Sequence, residues 1–152
     1  MQNHANEISN LLYSYTHRFD GGDLEGAAEL FKHAKIITGE NGESIDSTAL
    51  LELWRTLVII YQETGTPRTK HSCTNAIINV DEENNRATAQ SYYVVFQQTD
   101  TLPLQAIVSG RYEDKFERVN GTWRFCERDY RWIELTGNMS EHIRDAASLK
   151  RT

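Results

Sequence analysis

Cysteine and proline are scarce in this chain, with two of each in 152 residues. Cys73 and Cys126 can form one bridge at most, and they lie too far apart to give a closely spaced metal-ligand pair. A disulfide-stapled secreted scaffold is therefore excluded, and two reduced thiols are expected. Long hydrophobic runs are missing too: no apolar stretch approaches the roughly 20 residues of a membrane-spanning helix. The first ten residues, MQNHANEISN, lack the basic start and apolar stretch of a leader, so a cytoplasmic location is expected. Positive charge is in deficit, with 16 Lys and Arg against 22 Asp and Glu, a net charge of −6. Phosphate binding needs clustered cations, so neither nucleic acid nor a membrane is expected as a partner.

What remains is a globular composition, 39% hydrophobic and 25% charged. It suits a single domain over residues 1–152, long enough to bury one core. The ordered part is expected at about 5–135, with a polar tail over 136–152. Ile8, Leu11, Leu12, Tyr15 and Phe19 repeat at helical spacing and predict an amphipathic helix over 6–19, capped by Asn6. Gly21-Gly22 ends it. Asp23 then caps a short helix with Leu24, Ala27, Ala28 and Phe31 on its apolar face. Asp20 sits at the elbow between the two, where helix electrostatics favour a cation over a carboxylate. A short strand over 33–38 precedes a third helix opening at Asp46 or Ser47. Its stripe runs through Leu50, Leu53, Trp54, Leu57, Val58 and Tyr61, and Gly65 and Pro67 end it.

From Arg68 onward the period changes to that of strands. Runs over 70–80 and 86–98 precede two longer ones joined by Asn120-Gly121, a strong hairpin signal because both residues tolerate positive φ. The second long run is expected to continue through Trp132 to about Leu135. A two-residue turn pairs Val119 with Thr122, which sets Phe116 against Phe125, Glu117 against Arg124 and Glu113 against Arg128. Tyr112, Phe116, Trp123 and Phe125 then share an apolar inner face, with charges outward. One clash disturbs this ladder: Asp114 falls opposite Glu127 on the apolar side, and like charges there are costly. A β-bulge that shifts the register is the expected remedy. Helices first and an antiparallel meander after them make an α+β layout.

The elbow acid, the phrase TKHSCTN at 69–75 and FERVNGTWRFCERDYRW at 116–132 together resemble the SnoaL-like family of the nuclear transport factor 2-like superfamily. The resemblance covers residues 5–135. It implies a cystatin-like/nuclear transport factor 2-like cone, with N-terminal helices packed on a curved, mainly antiparallel sheet. Scytalone dehydratase and hexachlorocyclohexane dehydrochlorinase share the pattern of an aspartate ending the first helix and a histidine on the first long strand. Asp20 and His71 match that pair. The dehydratase pattern departs here at three places. Phe96 or Gln97 stands where it has a second histidine, Thr38 or Gly39 where it has a tyrosine, and Gly110 and Tyr112 where it has a small polar pair.

The resemblance implies a cofactor-independent lyase or isomerase without a metal, acting on a small apolar or aromatic molecule, and a homo-oligomer, dimer or trimer. In this reading His71 is a general base oriented by Asp20. A carboxylate fixes the tautomer of an imidazole, so that the other nitrogen can take a proton. The expected pocket residues are Tyr15, Phe19, Trp54, Leu57, Tyr92, Tyr112, Phe116 and Phe125. Tyr13, Tyr15, Tyr61, Tyr92 or Tyr112 could assist a departing group. His4, His33 and His142 are expected at the surface. Two other readings stand beside this one: a non-catalytic carrier of a small apolar ligand, and an assembly module resembling the β subunits of ring-hydroxylating dioxygenases.

Overall fold

The structure, a computed structural model, describes residues 3–146. Helix α1 spans His4–Asp20 and is capped by Asn3, whose side chain accepts from the Asn6 N–H. It therefore begins two residues earlier than the apolar repeat alone suggests. Its face of Ile8, Leu12, Tyr15 and Phe19 is buried against the sheet. Helix α2 (Leu24–Glu29) is capped by Asp23, and α3 (Ser47–Leu57) by Asp46. The elbow between α1 and α2 depends on Gly22, whose φ is +84°. A Cβ there would lie 2.0 Å from the Gly65 carbonyl oxygen, so only glycine lets the elbow approach the loop after α3.

The third helix is shorter than its apolar stripe suggests. It stops at Leu57, and Val58 is already extended. Val58 bridges to Ile143 and Tyr61 to Thr66, so backbone pairing, one distant and one local, outcompetes helical continuation. Seven strands follow the order β2-β1-β6-β5-β4-β3, with β7 alongside β5. They are β1 (Lys35–Ile37), β2 (Ser44–Ile45), β3 (Thr69–Asp81), β4 (Arg86–Gln97), β5 (Gln105–Val119), β6 (Thr122–Asp129) and β7 (Ile133–Thr136). Among the described residues, only β1 and β6 pair in parallel. The helices cover one face of the bent sheet, and the α+β expectation holds.

The hairpin of β5 and β6 keeps its expected start, with Val119 opposite Thr122, Glu117 opposite Arg124 and Phe116 opposite Phe125. The register then shifts between Lys115 and Phe116, leaving Cys126 unpaired. This bulge removes the Asp114–Glu127 conflict: Lys115 meets Glu127, and Asp114 meets Arg128. It also overturns the expected Glu113–Arg128 pair, since Glu113 now faces Asp129. Arg128 turns inward and is fully buried, in a bidentate pair with Asp114 (Nε to Oδ1 2.7 Å, Nη2 to Oδ2 2.9 Å). Its guanidinium lies 3.8 Å from the centre of the Tyr112 ring and 4.6 Å from that of Tyr15. Burial opposes its charge, but Asp114 outweighs that and holds Arg128 above its ordinary pKa. Burial in turn raises the Asp114 carboxyl, with Arg128 opposing.

The last long run does not continue as one strand to Leu135. It breaks after Asp129, whose carboxylate accepts from the Arg131 N–H and pairs with its guanidinium. Residues 130–132 then bow out before β7 rejoins β5, and the Arg111 N–H donates to the Trp132 carbonyl (3.1 Å). Gly110 permits that approach, because a Cβ there would sit 1.9 Å from the Trp132 oxygen. The bow sets the Tyr130 hydroxyl against that of Tyr15. Part of the polar tail also folds back. Met139 and His142 are buried, and His4 is buried against Trp123, so two of the three expected surface histidines are interior. His33 is exposed. Both cysteines are free thiols.

Candidate active site

Asp20 ends α1 and reaches the first residues of β3. Its Oδ1 lies 2.6 Å from His71 Nδ1 and accepts from Thr69 Oγ1 at 2.7 Å, while Oδ2 accepts from the His71 backbone N–H at 2.7 Å. Three donors converge on one carboxylate, which explains why an acid is stable at a helix C-terminus. Burial raises this carboxyl, but the hydrogen bonds and charge of His71 and the Thr69 hydroxyl outweigh it, and Asp20 is held below its ordinary pKa. An ionised Asp20 places the His71 proton on Nδ1. Among the described residues no group hydrogen-bonds His71 Nε2.

His71 looks into a pocket of about 130 Å³ lined by Tyr15, Phe19, Trp54, Tyr112, Tyr130 and His142, with Met139 and Ile143 closing it from the tail. Phe19 meets the His71 ring edge to face, with centroids 5.1 Å apart. Burial first, and neighbouring hydroxyls second, push Tyr15 well above its ordinary pKa, and burial also raises Tyr112 and Tyr130, so all three phenols stay protonated. A second, larger cleft of about 390 Å³, with Leu50, Leu53 and Leu57 on its walls, shares Trp54, Val58, Tyr130, Ile133 and Ile143 with the inner pocket.

Of the expected pocket residues, Tyr15, Phe19, Trp54 and Tyr112 stand around His71. Leu57 lines the outer cleft instead. Phe116 and Phe125 are fully buried in the solid core beside Phe31, so they line no opening. Tyr92 is 56% exposed on the far face of the sheet. Strand β4 turns Ala87, Ala89, Ser91, Tyr93 and Val95 inward, so the alternate positions, not that of Tyr92, face the core. Among the suggested assisting tyrosines, Tyr13 is exposed and Tyr61 donates to the Glu141 carbonyl (2.5 Å). Tyr130, His142 and Tyr93 were missed. Tyr130 falls on the outer face by its spacing from Phe125, and the extra residue at Cys126 turns it inward with Arg128, while His142 belongs to a stretch with no apolar periodicity.

His142 is nearly sealed, at 5% exposure, and its ring centre lies 6.4 Å from that of His71. Burial first, and then the positive potential of His71, lower its pKa to about 3, with Asp20 opposing. The unfolded chain protonates this residue near 6.5, so acidification adds a proton to the unfolded state first and weakens the fold. The window runs from about pH 6.5 down to about 3, and the expected loss between pH 7 and pH 5 is about 2 kcal/mol. Urea unfolding at the two pH values checks this. His142→Phe should flatten the dependence, and an unchanged slope would refute the assignment.

Among the described residues, no group of three or more His, Cys, Asp or Glu is placed to hold a metal ion, and no helix is long and apolar enough to cross a membrane. The SnoaL-like domain family matches residues 3–129, which takes in the elbow acid, the strand histidine and the hairpin. The chain belongs to the SnoaL-like domain family. This SnoaL-like domain is similar to a cystatin-like-fold protein of unknown function from Nostoc punctiforme, with TM-score 0.68 and 21% identity over 89% of this chain and 94% of that one. It is similar to a candidate scytalone dehydratase from Novosphingobium aromaticivorans, with TM-score 0.65 and 22% identity over 88% and 85% of the two chains. It also resembles the β subunit of a candidate aromatic-ring-hydroxylating dioxygenase from the same organism, with TM-score 0.64 and 22% identity over 90% and 94%. These likenesses establish the SnoaL-like domain's nuclear transport factor 2-like, cystatin-like fold. No curated protein sequence matches it at a significant level.

Proposed function

We propose that the protein is a cofactor-independent lyase or isomerase acting on a small hydrophobic molecule, with His71 as general base and Asp20 as the residue that orients it. The observation that carries this reading is the 2.6 Å contact between Asp20 and His71 Nδ1, which leaves Nε2 unengaged beside an apolar pocket. Nε2 takes a proton from a C–H bond, and the released pair forms a C=C bond. In elimination the neighbouring group departs with its bonding pair. In isomerisation the proton returns at another carbon. The Tyr15–Tyr130 hydroxyl pair can hydrogen-bond the departing group. A screen of small cyclic halides, alcohols and ketones, read by product formation and by solvent deuterium uptake, tests it. His71→Gln should lower turnover about 10²- to 10⁴-fold, the usual contribution of a positioned base. Turnover equal to that of the parent would reject the role, and saturable binding without turnover would mark a carrier.

A second reading, assembly through the outer face of the sheet, is supported by apolar side chains left open there. Tyr92 is 56% exposed and Ile77 62%, on adjacent strands. A dimer or trimer of this chain would cover them, and exposed apolar patches of this kind mark interaction surfaces. Sedimentation of the parent should give the larger species and Tyr92→Lys the monomer. A monomeric parent would exclude this reading.

A further inference from the structure

The segment that carries His142 is strapped across the pocket by its backbone. The Glu141 carbonyl accepts from Tyr61 Oη (2.5 Å) and from Gln97 Nε2 (3.0 Å), and the His142 carbonyl accepts from the Ile59 N–H (2.8 Å). The Arg144 N–H donates to the Leu57 carbonyl (2.7 Å), and Ile143 bridges to Val58. The Glu141 carboxylate is held by Thr99 (2.7 Å) and Thr101. These contacts converge on four consecutive residues, 141–144, and fix one imidazole in the pocket wall. Yet that imidazole uses neither of its own nitrogens for structure: Nδ1 is sealed from solvent without a partner, and no described residue hydrogen-bonds Nε2.

A neutral imidazole has one N–H and one lone pair. A buried N–H without a partner is rarer than an unfilled acceptor. The proton therefore belongs on Nε2, the nitrogen that is not sealed, on a ring that lines the pocket, and the bare lone pair on the sealed Nδ1. The low proton affinity of His142 keeps it neutral at any ordinary pH, so it cannot relay a proton as His71 can. The two rings then present opposite faces to a ligand. His71 offers a lone pair, and His142 offers a hydrogen.

We propose that His142 is a hydrogen-bond donor of the site and selects a hydrophobic ligand bearing an oxygen acceptor, a ketone, over its hydrocarbon counterpart. This rests on the inner pocket being the substrate site, as proposed above. The pocket's 130 Å³ suits one six-membered ring, since a cavity of about 150 Å³ takes one benzene. A hydrocarbon in that place would leave the N–H buried and unpaired, and the penalty for such a group corresponds to about tenfold in affinity.

Cyclohexanone and methylenecyclohexane, matched in shape, serve as probes in an NMR titration with ¹⁵N-labelled histidine. The unchanged protein should bind the ketone about tenfold more tightly, and the His142 Nε2–H signal should move with the ketone alone. His142→Phe should bind both probes equally. His71→Gln should keep the preference, so a failure of His71 as base would leave this result standing. Equal affinities in the unchanged protein, an unmoved Nε2 signal, or a preference that survives in His142→Phe overturns the proposal. The Nε2 signal is read on the unchanged protein and so does not depend on a variant folding.

Discussion

Arg128→Met should destabilise the protein by about 3–5 kcal/mol, the usual result of leaving one half of a buried ion pair alone. Asp114 is 2% exposed and would lose both guanidinium hydrogen bonds with no solvent to replace them. The cation also rests on the faces of Tyr112, Tyr15 and Phe31, so the stacking is lost with the charge. The pair itself is a different matter. Removing two charges from water is expensive, and a buried pair often does no better than apolar side chains of the same volume. Asp114→Leu combined with Arg128→Met should therefore recover most of the loss. Urea unfolding of the single and double variants decides it. A single variant within 1 kcal/mol of the parent would show that Asp114 finds another partner or takes up a proton without cost.

The second large effect concerns Asp20→Asn, which should lower turnover on the order of 10²- to 10⁴-fold while the fold persists. The carboxylate accepts from three donors, Thr69 Oγ1, His71 N–H and His71 Nδ1. A carboxamide has one oxygen and one NH₂, so it cannot satisfy all three. If its oxygen meets the His71 backbone N–H, its NH₂ faces Nδ1 and moves the ring proton to Nε2. The base would then present a hydrogen to the substrate instead of a lone pair. Steady-state kinetics on a substrate from the screen, together with the ¹⁵N shifts of the His71 ring, check both halves. Full activity, or an unchanged tautomer, would separate Asp20 from the chemistry.

The elbow and the hairpin were legible because each rests on local chemistry. Gly21-Gly22 and the Asp23 cap mark the end of one helix and the start of the next, and Asn120-Gly121 fixes the hairpin register. Even the bulge was foreshadowed, since two carboxylates cannot face each other on an apolar wall. The consequence of the bulge was not legible. Nothing in the sequence says that Cys126 is the residue left out, and Arg128 reads as an ordinary outward charge until it is. Strand β4 misleads for another reason. Its Tyr92 points to solvent while Ala87, Ala89, Ser91 and the equally large Tyr93 point in, because alternation along the strand, not side-chain size, decides the face. The apolar stripe of α3 overran its end because the competing partner, Ile143, lies 86 residues after Leu57 in the chain. Long-range pairing leaves no local trace, and His142 arrives by the same route.

The unpaired Cys126 also governs how this chain should be compared with others. In a strand, odd and even positions belong to opposite faces. One extra residue reverses that parity for everything after it, so Glu127, Arg128 and Asp129 carry the opposite meaning to the one their spacing from Phe125 implies. A relative that lacks the bulge, aligned without a gap, would place Arg128 in a solvent column and its neighbour in the core. A one-residue gap at Cys126 is thus a structural statement. With it, the arginine that braces Tyr15 and Tyr112 keeps its buried place behind the pocket wall. Without it, the column holds a surface charge that never touched the site.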